Sequence, residues 1–159
     1  NAADLLAIGA ARKVLTVNAA GDAPEWANKF VSGCIMQRSA NQSIPHATIT
    51  TIVFDNEIFD SDNYWSSGSP SAVIVPKAGV YQFSGKVLFA ANSTGTRYVF
   101  TPAGGYMSTL AVNGDTTCVN FCFVSYLSAS SNAYISAYQS SGGALNITAE
   151  YQTIFLGEV

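Results

Sequence analysis

With 159 residues, the chain has room for one well-buried domain and a short appendage but not for two full domains. Hydrophobic residues make up 48% of it and charged residues 11%, which excludes a disordered chain and leaves much of the surface to Ser, Thr, Asn, Gln and Gly. A net charge of −3, with seven Lys and Arg and no basic run, provides no footprint for a phosphate backbone, so nucleic acid is not an expected partner.

In chain order, the first stretch, residues 1 to about 27, is rich in Ala and Gly. Its short apolar pieces (Leu5, Leu6, Ile8, then Val14, Leu15, Val17) are broken by Gly9 and by Ala20-Gly21-Asp22-Ala23-Pro24, and it is too short to bury a core of its own. A connecting stretch with Ser39-Ala40-Asn41-Gln42-Ser43 and Pro45 follows. The division predicted from this texture is a thin segment over 1–44 and a head over 45–159.

The head reads as strand after strand, closed by turn residues at roughly 8–12 residue spacing, the pattern of a sandwich or barrel. Thr48 to Phe54 is the first predicted strand, and Ala72 to Val75, ended by Pro76, the second. Lys77-Ala78-Gly79 then turns into Val80 to Ala90, where Tyr81, Phe83, Gly85, Val87 and Phe89 share one face and Gln82, Ser84 and Lys86 the other. After the turn Asn92-Ser93-Thr94-Gly95 come Arg97 to Phe100 and Met107 to Val112, the latter ending at Asn113-Gly114, a hairpin signal. Cys118 to Leu127, Ala133 to Gln139 and Ala144 to Leu156 complete an all-β chain with no predicted helix.

Several strands are apolar on both faces. In Cys118 to Leu127, Val119, Phe121 and Phe123 lie on one side and Cys122, Val124 and Tyr126 on the other. A two-layer monomer needs one apolar face per sheet, so a second copy is the simplest cover for the other. Cys118 and Cys122 stand ~13 Å apart along an extended strand, too far to bond to each other. With Cys34 they are expected to be buried free thiols; a bridge from Cys34, or one between subunits, stays open.

The segment Val75-Pro76-Lys77-Ala78-Gly79-Val80-Tyr81-Gln82-Phe83-Ser84-Gly85-Lys86-Val87-Leu88-Phe89 resembles the central signature of the complement-globular-head and tumour-necrosis-factor-like superfamily: a Pro, a few residues, Gly-x-Tyr-x-Phe, then an alternating strand. Phe54 to Asp60 with Tyr64 looks like the stretch that precedes this signature in the family, Ala90 to Arg97 with Asn113-Gly114 is similar to versions found in phage and bacterial proteins, and Gln139 to Leu145 and Tyr151 to Gly157 resemble the family's last two strands. The resemblance covers roughly Thr48 to Val159. It implies a jelly-roll β-sandwich that trimerises about an axis parallel to a stalk, with Tyr81, Tyr151 and Phe155 expected at the trimer contact. Thr101-Pro102-Ala103-Gly104-Gly105-Tyr106 departs from the pattern as an insertion-like loop.

The N-terminal segments Asp4 to Ala11 and Val14 to Ala27 look like a piece recurrent in phage tail-fibre and head-fibre proteins. This likeness implies a virion appendage, with Leu5, Leu6 and Ile8 as particle-attachment residues and small side chains near a stalk axis. No apolar run approaches the ~20 residues that span a bilayer, and no basic-then-apolar leader opens the sequence, so membrane insertion is not expected.

Chemistry finds little support. The single histidine, His46, has no nucleophile-elbow or protease motif around it and is read as a surface or interface residue. No phosphate loop or dinucleotide fingerprint occurs. Asp55, Asp60 and Asp62 carry the hard oxygen ligands that calcium prefers, but their spacing matches no EF-hand, and a solvated acidic loop without metal or cofactor is the expectation. The sequons at Asn41, Asn92 and Asn146 are chance triplets in a Ser/Thr/Asn-rich chain. Tyr64 and Trp65 beside Asp60, Asp62 and Asn63 mix aromatic and polar groups as sugar-stacking sites do; with Tyr106 they are the candidate receptor contacts, the competing reading being that Tyr64 and Trp65 pack between subunits.

The expectation is therefore a non-enzymatic, homotrimeric fibre or spike head on the outside of a virion. Its partners would be itself, capsid or tail proteins, and a host-surface glycan or protein. A secreted complement-like, lectin-like recognition module is the rival, and a fibre-borne depolymerase, which needs paired carboxylates in a groove, stands further off.

Overall fold

The computed structural model describes residues 13–18, 20–28, 32–102, 104–149 and 154–158. The chain divides into two compact units, Asn1–Val31 and Ser32–Val159. In the first, β1 (Lys13–Val17) and β2 (Pro24–Asn28) form an antiparallel hairpin. Its turn is closed by the Asn18 side chain, whose Oδ1 accepts from the amides of Asp22 and Ala23, and by Gly21 at a φ of 79°. The proposed attachment residues Leu5, Leu6 and Ile8 lie outside the described residues.

The second unit is a sandwich of two antiparallel sheets, and among the described residues it contains no helix. The first sheet is built on β8 (Gly79–Phe89), the longest strand together with β11 (Thr117–Leu127), which pairs with it over its full length. On the other edge of β8 lie β15 (Ile154–Glu158) and, by one residue pair at the far end, β14 (Leu145–Ile147), itself joined to β4 (Gln42–Ile44). Beyond β15 come β3 (Gly33–Gln37) and the edge strand β6 (Asn56–Asp60). The second sheet runs β10 (Tyr106–Leu110), β9 (Thr96–Phe100), β13 (Ser136–Gln139), β5 (Thr50–Thr51). A short ladder of β7 (Val73–Ile74) with β12 (Asn132–Ala133) closes one end.

The alternation predicted for β8 holds: Tyr81, Phe83, Val87 and Phe89 are buried and face Val99 and Ala137 of the second sheet's core side, with Val119 and Phe121 beside them. Phe83 and Phe123 stack at 4.8 Å. Tyr81 reaches back so that its hydroxyl donates to the Lys77 carbonyl at 2.9 Å. This pins the Lys77-Ala78-Gly79 turn and accounts for the Tyr in the Gly-x-Tyr-x-Phe motif: the ring fills the core and the oxygen satisfies a turn carbonyl.

Other expectations are corrected. The strands β3 and β4, assigned by sequence to the thin segment, belong to the head's sheet, so the observed division falls at Val31/Ser32 instead of 44/45. Of Thr48 to Phe54 only Thr50–Thr51 is strand, because side chains replace the ladder: Gln42 bonds the Thr51 carbonyl and Val53 amide, and Arg38 donates to the Val53 carbonyl. Ala133 to Gln139 and Ala144 to Leu156 are each split in two. The residues from Asn56 to Asp60, read as an acidic loop, form β6, with a bulge opposite Ile35/Met36.

Two turns also differ. Asn113-Gly114 does not close a hairpin; β10 and β11 lie in different sheets, and Gly114 at a φ of 74° redirects the chain between them. The supposed insertion at 101–106 is the plain link of the β9–β10 hairpin, tied by the Thr101 amide and hydroxyl to the Gly105 carbonyl at 2.9 and 3.0 Å. Cys34 is buried, and burial pushes its thiol pKa up, but Cys118 and Cys122 are exposed. All three are free.

Candidate functional site

Three regions hold the residues singled out by sequence. In the acidic turn after β6, the Asp60 carboxylate accepts three backbone amides, those of Asp62 (3.2 Å), Tyr64 (3.0 Å) and Trp65 (2.9 Å). Asp62 accepts the hydroxyls of Ser32 at 2.6 Å and Ser61 at 2.8 Å, and these bonds hold its carboxyl below the usual carboxylate range. Asp55 accepts the Ser39 amide, on the far side of the bulge. Each carboxylate thus has its own local partners, and among the described residues no three His, Cys, Asp or Glu side chains converge on a point.

Tyr64 is fully buried, edge-on to Tyr81 at 6.2 Å, its hydroxyl 2.5 Å from Ser32 Oγ; burial pushes the phenol up to about 12. Trp65 is half-buried against the core, its indole N–H donating to the Pro70 carbonyl at 3.4 Å. Tyr64 therefore presents nothing to a receptor, and the aromatic and polar mixture read there is a capped turn packed on the core. His46 likewise serves a turn, its Nδ1 accepting the Gly142 amide at 3.0 Å. Replacing Asp60 by Ala strands three amides and is expected to cost about 1–3 kcal/mol, read as a lower midpoint in thermal denaturation, with Asp60→Asn intermediate.

The outward face of the first sheet is the second region. Tyr81, expected at a trimer contact, is fully buried inside the subunit. It shares the core face of β8 with Phe83, and the strand's outward residue is its neighbour Val80, since a one-residue step reverses the face. Val80 pairs with Tyr126 across the ladder, and Val80, Val124 and Tyr126 are exposed, the last at 65%. Exposed Cys122 lies opposite Ser84, whose partner on its other side is Phe155. Only the strand register of Phe155 is described, and Tyr151 lies outside the described residues.

The third region was not foreseen as a whole. On the outward face of the second sheet, Tyr98 and Phe100 of β9 are flanked by Tyr106 of β10 and Tyr138 of β13, as the registers Phe100↔Tyr106 and Tyr98↔Tyr138 require. Tyr98 stacks on Phe100 at 6.1 Å and 14°, meets Tyr138 edge-on at 5.4 Å and tilts against Tyr106 at 5.6 Å. Ile49 joins Tyr98, Phe100 and Tyr138 around an open groove of about 200 Å³. Of the candidate receptor contacts, Tyr106 belongs to this cluster. The alternation of Tyr98 and Phe100 with Arg97 and Val99 was the available signal: a strand with large residues on both faces must expose one set.

No family model matches the sequence, and no curated protein matches it significantly. Solved structures do match. Murine APRIL at pH 5.0 superposes with a TM-score of 0.61 at 11% identity, over 82% of this chain and 100% of that one. Eiger TNF from S. frugiperda gives 0.56 at 13%, covering 81% and 92%. The globular domain of zebrafish complement 1qA gives 0.56 at 11%, covering 80% and 96%. At such identities the likeness lies in the path of the chain, and it establishes a jelly roll of the tumour-necrosis-factor and complement-globular-head type.

Proposed function

We propose that the chain is the head of a homotrimeric recognition protein that acts by binding, without bond chemistry or a cofactor. The observation that carries this reading is the apolar stripe of Val80, Val124 and Tyr126, on the uncovered side of a sheet whose other side already holds the core. A second copy is the cover that the family resemblance of Gly79-Val80-Tyr81-Gln82-Phe83 leads one to expect. The absence of catalytic function is supported by Asp60 and Asp62, whose carboxylates hold a turn together where a depolymerase would need them free.

In this proposal the head projects from a virion as a fibre or spike tip, or as a capsid decoration, with the segment before Ser32 toward the particle and Leu5, Leu6 and Ile8 in the attachment. The likeness to the complement 1qA globular domain favours equally a secreted recognition module. Antibody raised against the head separates the two, by labelling purified particles in the first case and only the soluble fraction in the second.

The trimer is tested by light scattering. The expected mass is three times the 16.7 kDa of the chain, and Tyr126→Asp combined with Val124→Asp is expected to return it to a monomer, since both would bury unpaired charge at the contact. The thiol of Cys122, exposed in the single subunit, should then label faster in the variant than in the parent. A wild-type monomer would overturn the proposal.

A further inference from the structure

The aromatic face of the second sheet has a chemistry of its own. Arg97 is the only charged residue on β5, β9, β10 and β13, and it is fully buried toward the core. What faces outward is a platform of half-exposed rings edged by hydroxyls: Ser136 stands opposite Phe100 and within 3.5 Å of the Thr51 hydroxyl, and Ser108 stands opposite Tyr98. Among the described residues the phenol oxygens of Tyr98, Tyr106 and Tyr138 have no hydrogen-bond partner, so donors and acceptors remain at the rim.

We propose that this groove binds a neutral saccharide, one sugar ring lying against Tyr98 and Phe100 between Ile49 and Tyr138. The inference rests on the recognition reading above and supplies its ligand class. Three features select a sugar. The faces of the aromatic rings carry negative potential, which complements the partly positive C–H face of a pyranose. The rim hydroxyls match the equatorial hydroxyls around that face, and the lack of exposed charge on these strands matches a ligand without carboxylate, sulfate or phosphate. The groove, at about 200 Å³, falls below the ≈ 300–1,000 Å³ typical of pockets for drug-sized ligands and suits a single ring, with the rest of a chain running along the open sheet face. A protein partner would need a contact far broader than a groove lined by Ile49, Tyr98, Phe100 and Tyr138.

The test uses the full chain against immobilised neutral polysaccharides (glucan, galactan, mannan and an N-acetylglucosamine polymer), read by biolayer interferometry. Binding to at least one is expected, with a loss of at least tenfold in Tyr98→Ala. Ile49→Lys, at a side chain 60% exposed where folding is not at issue, is expected to weaken it to the same degree. Failure of the wild type to bind any of the four overturns the inference, and so does binding unchanged in both variants. A drop in oligomeric mass in Tyr98→Ala would also overturn it, since the face would then be covered by another copy. Trimer mass kept while all four polymers fail refutes the saccharide and leaves the recognition head standing. A monomeric wild type refutes the head, whatever the sugars do.

Discussion

Replacing Gly95 by alanine is expected to destabilise the head by about 2–5 kcal/mol, the sum of a left-handed backbone imposed on a side chain and an overpacked contact. Gly95 has a φ of +80°, and a Cβ there would lie on the carbonyl oxygen of Ser140 and 2.6 Å from its carbonyl carbon. Neither chain can yield easily. The Thr96 amide donates to Ser140 Oγ at 2.9 Å, the Ser140 amide to the Thr96 carbonyl at 3.2 Å, and the Ala111 amide to the Gly95 carbonyl at 3.0 Å, so three segments are locked at this point. For a domain of this size the loss corresponds to a midpoint lower by roughly 10 °C. Circular-dichroism melts at one fixed protein concentration are the measurement, because the midpoint of an oligomer moves with concentration. A midpoint within a degree or two of the parent would mean that the turn and β13 do not approach as described.

Arg97→Met is expected to cost about 1–3 kcal/mol, as when buried acceptors lose the charged donor that they share. The guanidinium is fully buried, lies over the Phe89 ring at 5.9 Å from its centroid, and donates from Nη1 to the carbonyls of Thr94 and Thr96 and from Nη2 to that of Asn92. These are the carbonyls of the turn that carries the chain from β8 in one sheet to β9 in the other. Methionine fills much of the volume and satisfies none of them. Lysine keeps the charge without the planar fork that reaches Asn92 and Thr94 together, so Arg97→Lys should recover only part of the loss. Chemical denaturation with a common slope would show the order parent, Lys, Met; equal stability of all three would remove the argument.

The period-two pattern from Val80 to Ala90 was legible because a central strand with one face on the core writes that face directly into the sequence. So was β11. Strand β3 was not: Cys34 and Met36 alternate inward as buried residues should, but five residues beside an Ala-rich stretch carry too little pattern to outweigh their surroundings. The expected strand over Thr48 to Phe54 failed for another reason, since the Gln42 and Arg38 side chains that take over its hydrogen bonds arrive from another part of the chain. Tyr81 shows how narrow the margin is. The motif identified it as a key residue, and the alternation already placed it on the core face with Phe83, whereas the outward position belonged to Val80.

The aromatic cluster was legible only in part. Tyr106 drew notice as an exposed loop aromatic, but its meeting with Tyr98, Phe100 and Tyr138 depends on two strand registers, and β13 enters the sheet from more than thirty residues away. The Asp60 turn misled because carboxylates close in sequence read alike whether they hold a cation or backbone amides. Only the direction of the amides of Tyr64 and Trp65 decides between them.

Among the described residues, strand β15 is the sole link between β3 and β8: it pairs with Ile35 and its neighbours on one side and with Ser84 and its neighbours on the other. During synthesis, therefore, β3 can pair with β6 early, but that ladder must wait for some 120 residues before the strand that joins it to β8 leaves the ribosome, while the β9–β10 hairpin can form as soon as it emerges. Until then the apolar edge of β3 and the outward stripe of β11 are both open to neighbouring nascent chains. Slow, low-temperature expression and a chaperone that shelters strands should raise the yield of native protein more than any change to the finished fold.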